Sequence, residues 1–229
     1  MIILVLPFIS SMKAAFYYKL KENNFWLSPQ RSLFWEEEKA LIVSDLHFGK
    51  TGHFRKSGIG IPQNVFKEDI QRLIDQISSF KPKQLIIVGD LFHSEANKEM
   101  DLFIKWRNDL SSIQFNLIKG NHDILNDAWY QQSNINVYQN EMIVHDFRFV
   151  HDVTTVTESS TLYSFTGHIH PGIQVSGIAK QSLRFPCFYF GKEYAVLPAF
   201  SRFTGLHLIE PKKKEHIFAI VDHSIIQTQ

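Results

Sequence analysis

The sequence predicts an α/β fold, a layered α-β-β-α sandwich of two mixed sheets, with its polar chemistry gathered along one edge. Three observations carry this expectation. Unbroken apolar runs alternate with amphipathic stretches through the first half of the chain. From about Asn134 onward, short stretches of β-branched and aromatic residues take over. The polar clusters between them follow the carboxyl ends of the apolar runs, where open α/β sheets collect ligands.

The first clear strand is Ala40 to Ser44, an apolar run of the kind buried on both faces, and it stops at Asp45-Leu46-His47. A glycine-rich loop then leads to Pro62, suited to a first helical turn. Val65, Phe66, Ile70, Leu73, Ile74 and Ile77 follow at helical spacing and predict an amphipathic helix. Pro82 breaks the chain before a second buried strand, Gln84 to Val88, which runs into Gly89-Asp90. A helix around Lys98 to Asp109 is expected to put Leu102, Phe103 and Trp106 on one face. A third strand, Gln114 to Ile118, leads to Gly120-Asn121-His122-Asp123. Later strands are expected at Ile135 to Tyr138, Met142 to His145, Phe147 to Val150 and Leu162 to Phe165, with more up to Ile226.

With 229 residues, 44% hydrophobic and 21% charged, the chain reads as one globular domain, 1–229, without repeats or a linker. A net charge of +1 excludes a global basic footprint, so any nucleic-acid contact has to be local. One cysteine, Cys187, cannot pair within the chain and cannot build a thiolate metal site. Nothing asks for an oxidising compartment, and a cytoplasmic location is the expectation. The apolar opening Met1 to Ile9 is far shorter than the roughly 20 residues that cross a bilayer, so no membrane association is expected. Met12 is a second candidate start, with residues 1–11 as an upstream extension, while an ordinary first strand at Ile2 to Leu6 accounts for the same letters.

Five clusters carry the chemistry: Asp45-x-His47, Gly89-Asp90, Gly120-Asn121-His122-Asp123, His151, and Gly167-His168-Ile169-His170. Asp, Asn and His without cysteine form a mixed oxygen and nitrogen donor set that suits manganese first, with iron, zinc or magnesium as alternatives. Seven candidate ligands are too many for one ion. With one carboxylate shared they can serve two divalent ions roughly 3.5–4 Å apart, the spacing that stabilises attacking and leaving oxygens in phosphoryl transfer.

In content and order these clusters resemble the calcineurin-like metallophosphoesterase family, whose pattern D-x-H, G-D, G-N-H-D/E, H, G-H-x-H is matched over residues 41 to 170. The resemblance implies the layered two-sheet fold of that family. It also implies that Asp45, His47 and His170 hold one ion, that Asn121, His151 and His168 hold the other, and that Asp90 bridges them. His122 is then left to assist catalysis, with Asp123 orienting its imidazole. For the fourth cluster His145 is the other candidate. His151 is preferred because it directly follows the apolar run Phe147 to Val150, whereas His145 precedes a turn at Asp146.

Further stretches, among them Ser44 to Lys50, Phe54 to Gly58, Gly89 to Ser94, Gly167 to Pro171 and Leu197 to Phe200, resemble one bacterial branch of the family. It is the ligase-associated endonucleases of the DNA-damage response. That resemblance covers about residues 39 to 205 and implies a DNA phosphodiester substrate and association with a DNA helicase and a ligase. Independently, no Asp or Glu occurs between Asp45 and Glu68 or between Glu158 and Glu193, so these intervals are candidates for a basic rim. Lys50 and Arg55 are the candidate contacts to substrate phosphates, and His93 is a third candidate near substrate or ligand. Two other functions compete: a phosphoesterase of small diesters, monoesters or nucleotides, and a non-catalytic scaffold for a helicase or ligase.

Overall fold

The fold follows from how the apolar runs alternate. In the computed structural model, which describes residues 14–50, 64–93, 98–156, 161–176 and 182–229, a first sheet takes seven strands in the order of the chain. They are β1 (Phe16–Leu20), β2 (Asn23–Ser28), β3 (Ser32–Trp35), β4 (Ala40–Val43), β5 (Gln84–Val88), β6 (Gln114–Ile118) and β7 (Ile135–Tyr138). β1 to β4 form an antiparallel meander, and β4 to β7 pair in parallel. The parallel strands need crossovers. The described helices α1 (Asn64–Phe80), α2 (Lys98–Asp109) and α3 (Asp127–Gln132) lie in the three connections.

The second sheet holds β8 (Glu141–Val144), β9 (Phe147–Val150), β10 (Tyr163–Thr166), β11 (Pro171–Ser176), β12 (Ser182–Phe190), β13 (Tyr194–Val196), β14 (His207–Leu208), β15 (His216–Val221) and β16 (Ser224–Gln227). β9, β10 and β13 are mutually parallel, while β12 pairs antiparallel with β11, β13 and β15, so this sheet is mixed as well.

Period-two alternation divides the core. Phe34, Leu41, Val43, Leu85, Ile87, Phe115 and Leu117 face the helices and pack on Phe66, Leu73, Ile77, Phe103 and Tyr130. Their neighbours Leu33, Trp35, Ala40, Ile42, Ile86 and Val88 face the second sheet and meet Phe147, Phe149, Phe165, Phe188 and Phe218. This explains why β4 and β5 read as unbroken hydrophobic runs: both faces are buried. The inner layer is aromatic, with Phe165 within 5.4–5.8 Å of the rings of Phe25, Phe147, Phe149 and Tyr163. The described helices cover the first sheet, whereas the outer face of the second carries a small cluster of Cys187, Tyr189, Val196 and Ile217.

Two local expectations need correction. Leu102 does not share the buried face of α2. It is 49% exposed while Met100 and Phe103 are buried, because at 3.6 residues per turn it lies about 100° round the helix from Phe103. The chain also enters the sheet earlier than Ala40, through the meander β1 to β3. The expected strand Ile2 to Leu6, the alternative start Met12 and Pro62 lie outside the described residues. Among the described residues no helix is long and apolar enough to cross a membrane.

Phe165→Ala should lower the unfolding free energy by about 3–5 kcal/mol in a denaturant titration, the cost of emptying a ring site in a closed core. Burial pushes the Cys187 thiol up to about 12, so little thiolate exists at pH 8 and iodoacetamide should label it only on unfolding. Fast labelling of the native protein would contradict its place under Tyr189 and Ile217.

Candidate metal centre

The site grows from the carboxyl ends of strands in both sheets. β4 ends at Val43, and the chain turns so that the Asp45 N–H donates to the Gly89 carbonyl (3.1 Å) and the His47 N–H to the Asp90 carbonyl (2.9 Å). The loops after β4 and β5 are thereby tied before any side chain is considered. From the second sheet, the His151 carbonyl accepts from the Gly167 N–H (3.0 Å), which joins the ends of β9 and β10. The two edges meet where the His168 N–H donates to Asp45 Oδ2 (3.1 Å) and the Ser44 hydroxyl shares its one proton between that carboxylate and the Val88 carbonyl.

Two donor sets result, each with its ligand atoms within 4.8 Å of one another: Asp45, His47 and His170, and Asp90, His151 and His168. In the first, the Nε2 atoms of His47 and His170 approach to 3.3 Å, and Asp45 Oδ1 lies 3.3 Å from the latter. In the second, His151 Nε2 lies 3.5 Å from Asp90 Oδ2 and 3.2 Å from His168 Nδ1. Asp90 Oδ2 is also 3.9 Å from His47 Nε2, so this one oxygen stands between the sets. Asn121 lines a cleft of about 350 Å³ beside His151 and His168.

The residues fit divalent ions. Asp45 Oδ1 is buried without a hydrogen-bond donor and is faced by imidazole nitrogens. His151 Nδ1 donates to the Val88 carbonyl (3.0 Å), which fixes the orientation of the ring and turns Nε2 toward Asp90 and His168. Burial pulls the His47 imidazole down to about 3 against the attraction of Asp45 and Asp90, so it is neutral and able to ligate at working pH. Burial also opposes charge at Asp90, but hydrogen bonding and the charge of His151 outweigh it and hold the carboxyl at about 2.

Six of the expected ligands are therefore brought together, with Asn121 in the adjoining cleft, and three features were not visible in the motif. Asp45, His47, Asp90, His168 and His170 all have φ between 45° and 70°, the left-handed region that side chains other than glycine rarely occupy. Ser44 supplies a buried hydroxyl to Asp45, and its only sequence signal is its place just before the first ligand. Gly89 has φ +78°, and a Cβ there would strike the His151 imidazole, so the glycine permits the close approach of the two loops.

His122 and His93 stand beside the first set, with rings 5.4 Å and 5.3 Å from that of His47 and 4.3 Å from each other. The backbone N–H of His122 donates to Asp90 Oδ1 (3.0 Å), which fixes it over the shared carboxylate. Asp123 differs from expectation. Its carboxylate accepts from the backbone N–H groups of Phe92 (3.2 Å) and Gly120 (2.9 Å), with no hydrogen bond to the His122 imidazole among the described residues. It shapes the loop that carries His122, and burial raises it to about 7. Lys50 is half-buried, and burial lowers its ammonium although Asp90 and Asp45 attract it, so it belongs to the field of the site. Arg55 lies outside the described residues. His145 points away, paired with Glu38 at 2.8 Å on the surface.

Fold and donor sets together define a phosphoesterase that works through metal ions. The calcineurin-like phosphoesterase family matches residues 38–223, and the chain belongs to that family. Among solved structures it is similar to nuclease MPE of Pseudomonas putida, 24% identical over 93% of this chain and 100% of that one, with a TM-score of 0.78, a likeness of fold. A protein of unknown function from Aquifex aeolicus, AQ665, is 16% identical over 57% of this chain and 78% of that one, with a TM-score of 0.42. No curated protein matches the sequence.

Elemental analysis should find two manganese ions per wild-type chain loaded with that metal, and less than one in Asp90→Ala, because the atom between the sets is removed from both. Manganese at 100 times its Kd should stabilise the fold by about 2.7 kcal/mol, read as a chelator-reversible rise in Tm.

Proposed function

We propose that this protein hydrolyses phosphodiester bonds in nucleic acid, DNA first, with two divalent ions of which manganese is the leading candidate. The observation that carries the reading is the pair of donor sets joined at Asp90, with an unligated imidazole, His122, fixed on the same carboxylate. Bound there, the ions supply Lewis acidity toward the phosphoryl oxygens and lower the pKa of water for attack on phosphorus. The seven ligands are Asp45, His47 and His170 on one side, Asn121, His151 and His168 on the other, and Asp90 between them.

The rest falls to the chain's own groups. His122 carries a proton on its imidazole and delivers it to the departing oxygen, the step that limits esters with poor leaving groups. Asp123 is a positioning residue that acts through the Phe92 and Gly120 N–H groups. Lys50 and His93 flank the first donor set and are placed to orient phosphoryl oxygens; Arg55 is proposed for the same task. The exclusion of cysteine from the donor set keeps it hard enough for manganese. The likeness to a Pseudomonas nuclease supports nucleic acid over a small diester. A cytoplasmic role in DNA repair beside a helicase and a ligase extends the reading, on the stretches that resemble the ligase-associated branch.

His122→Ala should keep its metal content while losing about 10²–10⁴-fold in kcat on poorly activated diesters and much less on activated aryl diesters. Equal losses on both would remove the proton-donor role. With manganese, a panel of aryl diesters, aryl monoesters, cyclic nucleotides and DNA should show turnover of diesters and DNA. Activity confined to monoesters or small nucleotides would overturn the nuclease reading, and inertness on every ester would favour a scaffold.

A further inference from the structure

Away from the ion ligands, three arginines distant in sequence converge on one cavity of about 500 Å³: Arg31 in the β2–β3 turn, Arg72 on α1, and Arg202 beyond β13. Phe185 and Pro186 of β12 form an apolar wall. The loop that carries Arg202 is bound to the ion site, since the Phe200 N–H donates to the Ser44 carbonyl (2.7 Å) and the Ser201 N–H to the Asp45 carbonyl (3.1 Å). Backbone hydrogen bonds therefore tie the loop of the cavity to the first donor set.

The charge here is poorly balanced. Asp69, the buried carboxylate, is already engaged by Arg72 (2.9 Å), the Ser201 hydroxyl and the Arg202 backbone N–H. Asp222 and His223 are exposed at the rim, in the β15–β16 turn. Three guanidinium groups thus share one buried carboxylate, while Asp222 and, beside Arg72, Glu68 are exposed to solvent and screened.

Several of the donors have no acceptor. Arg31 Nη1 donates to the carbonyls of Ala199 (3.2 Å) and Ser201 (2.7 Å), while its Nε and Nη2 meet no acceptor among the described residues. Arg72 donates to the Phe200 carbonyl and Asp69, but its Nε is buried without a partner in a side chain only 7% exposed. The Arg202 side chain makes one long contact, 3.5 Å to Gln30. Burial first, and then the charges of Arg72 and Arg202, lower the Arg31 guanidinium to about 10 against the pull of Asp69. Planar N–H forks held together against their own charge match the geometry of a tetrahedral oxyanion.

We propose that this cavity is a phosphate-binding subsite that takes a backbone phosphate of a polynucleotide whose scissile bond lies at the ion site. Phosphate recognition stands on the cavity itself, while the polynucleotide as its source rests on the nuclease reading above. Phe185 and Pro186 give the adjoining sugar an apolar surface.

Crystals of the manganese-loaded protein soaked in tungstate, a phosphate surrogate, should show an anomalous peak within hydrogen-bond distance of the Arg31 and Arg202 guanidiniums. Arg202→Gln, at an exposed position where folding is not at stake, should remove that peak. A peak confined to the ion site overturns the proposal. In solution, anisotropy of a labelled, cleavage-resistant single-stranded oligonucleotide should show Arg202→Gln binding about tenfold more weakly, the worth of one hydrogen bond to a charged group. The slope of log K against log salt should fall by about 0.7, the share of one phosphate on a single strand. Unchanged affinity and slope would overturn the subsite's part in substrate binding. A nucleoside monophosphate that competes as well as the oligonucleotide would overturn the polynucleotide as source. Failure of the wild type to bind the oligonucleotide, with the tungstate peak present, would sink the nuclease reading and leave phosphate recognition standing.

Discussion

Asp90 is where the two sheets are held to a common geometry. It sits just past β5 in the middle of the first sheet, and its carboxylate faces His47 from the neighbouring strand end and His151 from the second sheet. Its other oxygen takes the His122 N–H, and its backbone carbonyl takes the His47 N–H. One residue thus fixes both halves of the donor set and the imidazole beside them. A shift of either sheet by an ångström would break several of these contacts together, so the packing of the sheets is part of the chemistry.

That packing is rigid for a reason written in the composition. The layer between the sheets is filled by rings such as Phe25, Trp35, Phe147, Phe149 and Phe165, which meet edge to face, tilted or stacked at 5.0–6.4 Å. Flat rings admit few alternative arrangements at this density, so the strand ends are carried on a stiff base. Where the backbone must come closer than a side chain allows, glycine takes over: at Gly167 a Cβ would collide with the Ser44 hydroxyl that supports Asp45.

The parallel strands β4 and β5 were legible because burial on both faces leaves an unbroken apolar run, β6 through Phe115, Leu117 and Ile118 around a buried Asn116, and the donor residues because each strand runs into a polar residue that a core cannot keep. The meander β1 to β3 was not. Its turns place Lys21, Glu22, Arg31 and Lys39 at positive φ, where a sequence reader looks for Gly or Asn. Asp123 was misread for a similar reason: adjacency to His122 along the chain says nothing about direction in space, and its carboxylate turns inward to backbone N–H groups. The two acid-free intervals point to Lys50 and Arg55, yet the arginine cluster lies outside both. Arg72 stands three residues from Asp69 and from Asp75, and Arg31 five before Glu36, so local acids hide charge that only the tertiary fold assembles.

Five of the donor residues lie in the left-handed region, which raises the question of what holds them there, since each costs of the order of 1–3 kcal/mol. In a small metal-folded domain the ion itself would supply the answer. Here the loops are already closed by main-chain bonds: Asp45 to Gly89, His47 to Asp90, Phe48 to Leu91, and Gly167 to His151. These bonds involve no ligand side chain, and they continue the ladders of two sheets that own large cores. The strain is therefore offset by the fold and is present before ions arrive. Donor atoms held in advance have little freedom left to lose on binding a cation, and this is how rigid strand ends become affinity and geometry at a metal site.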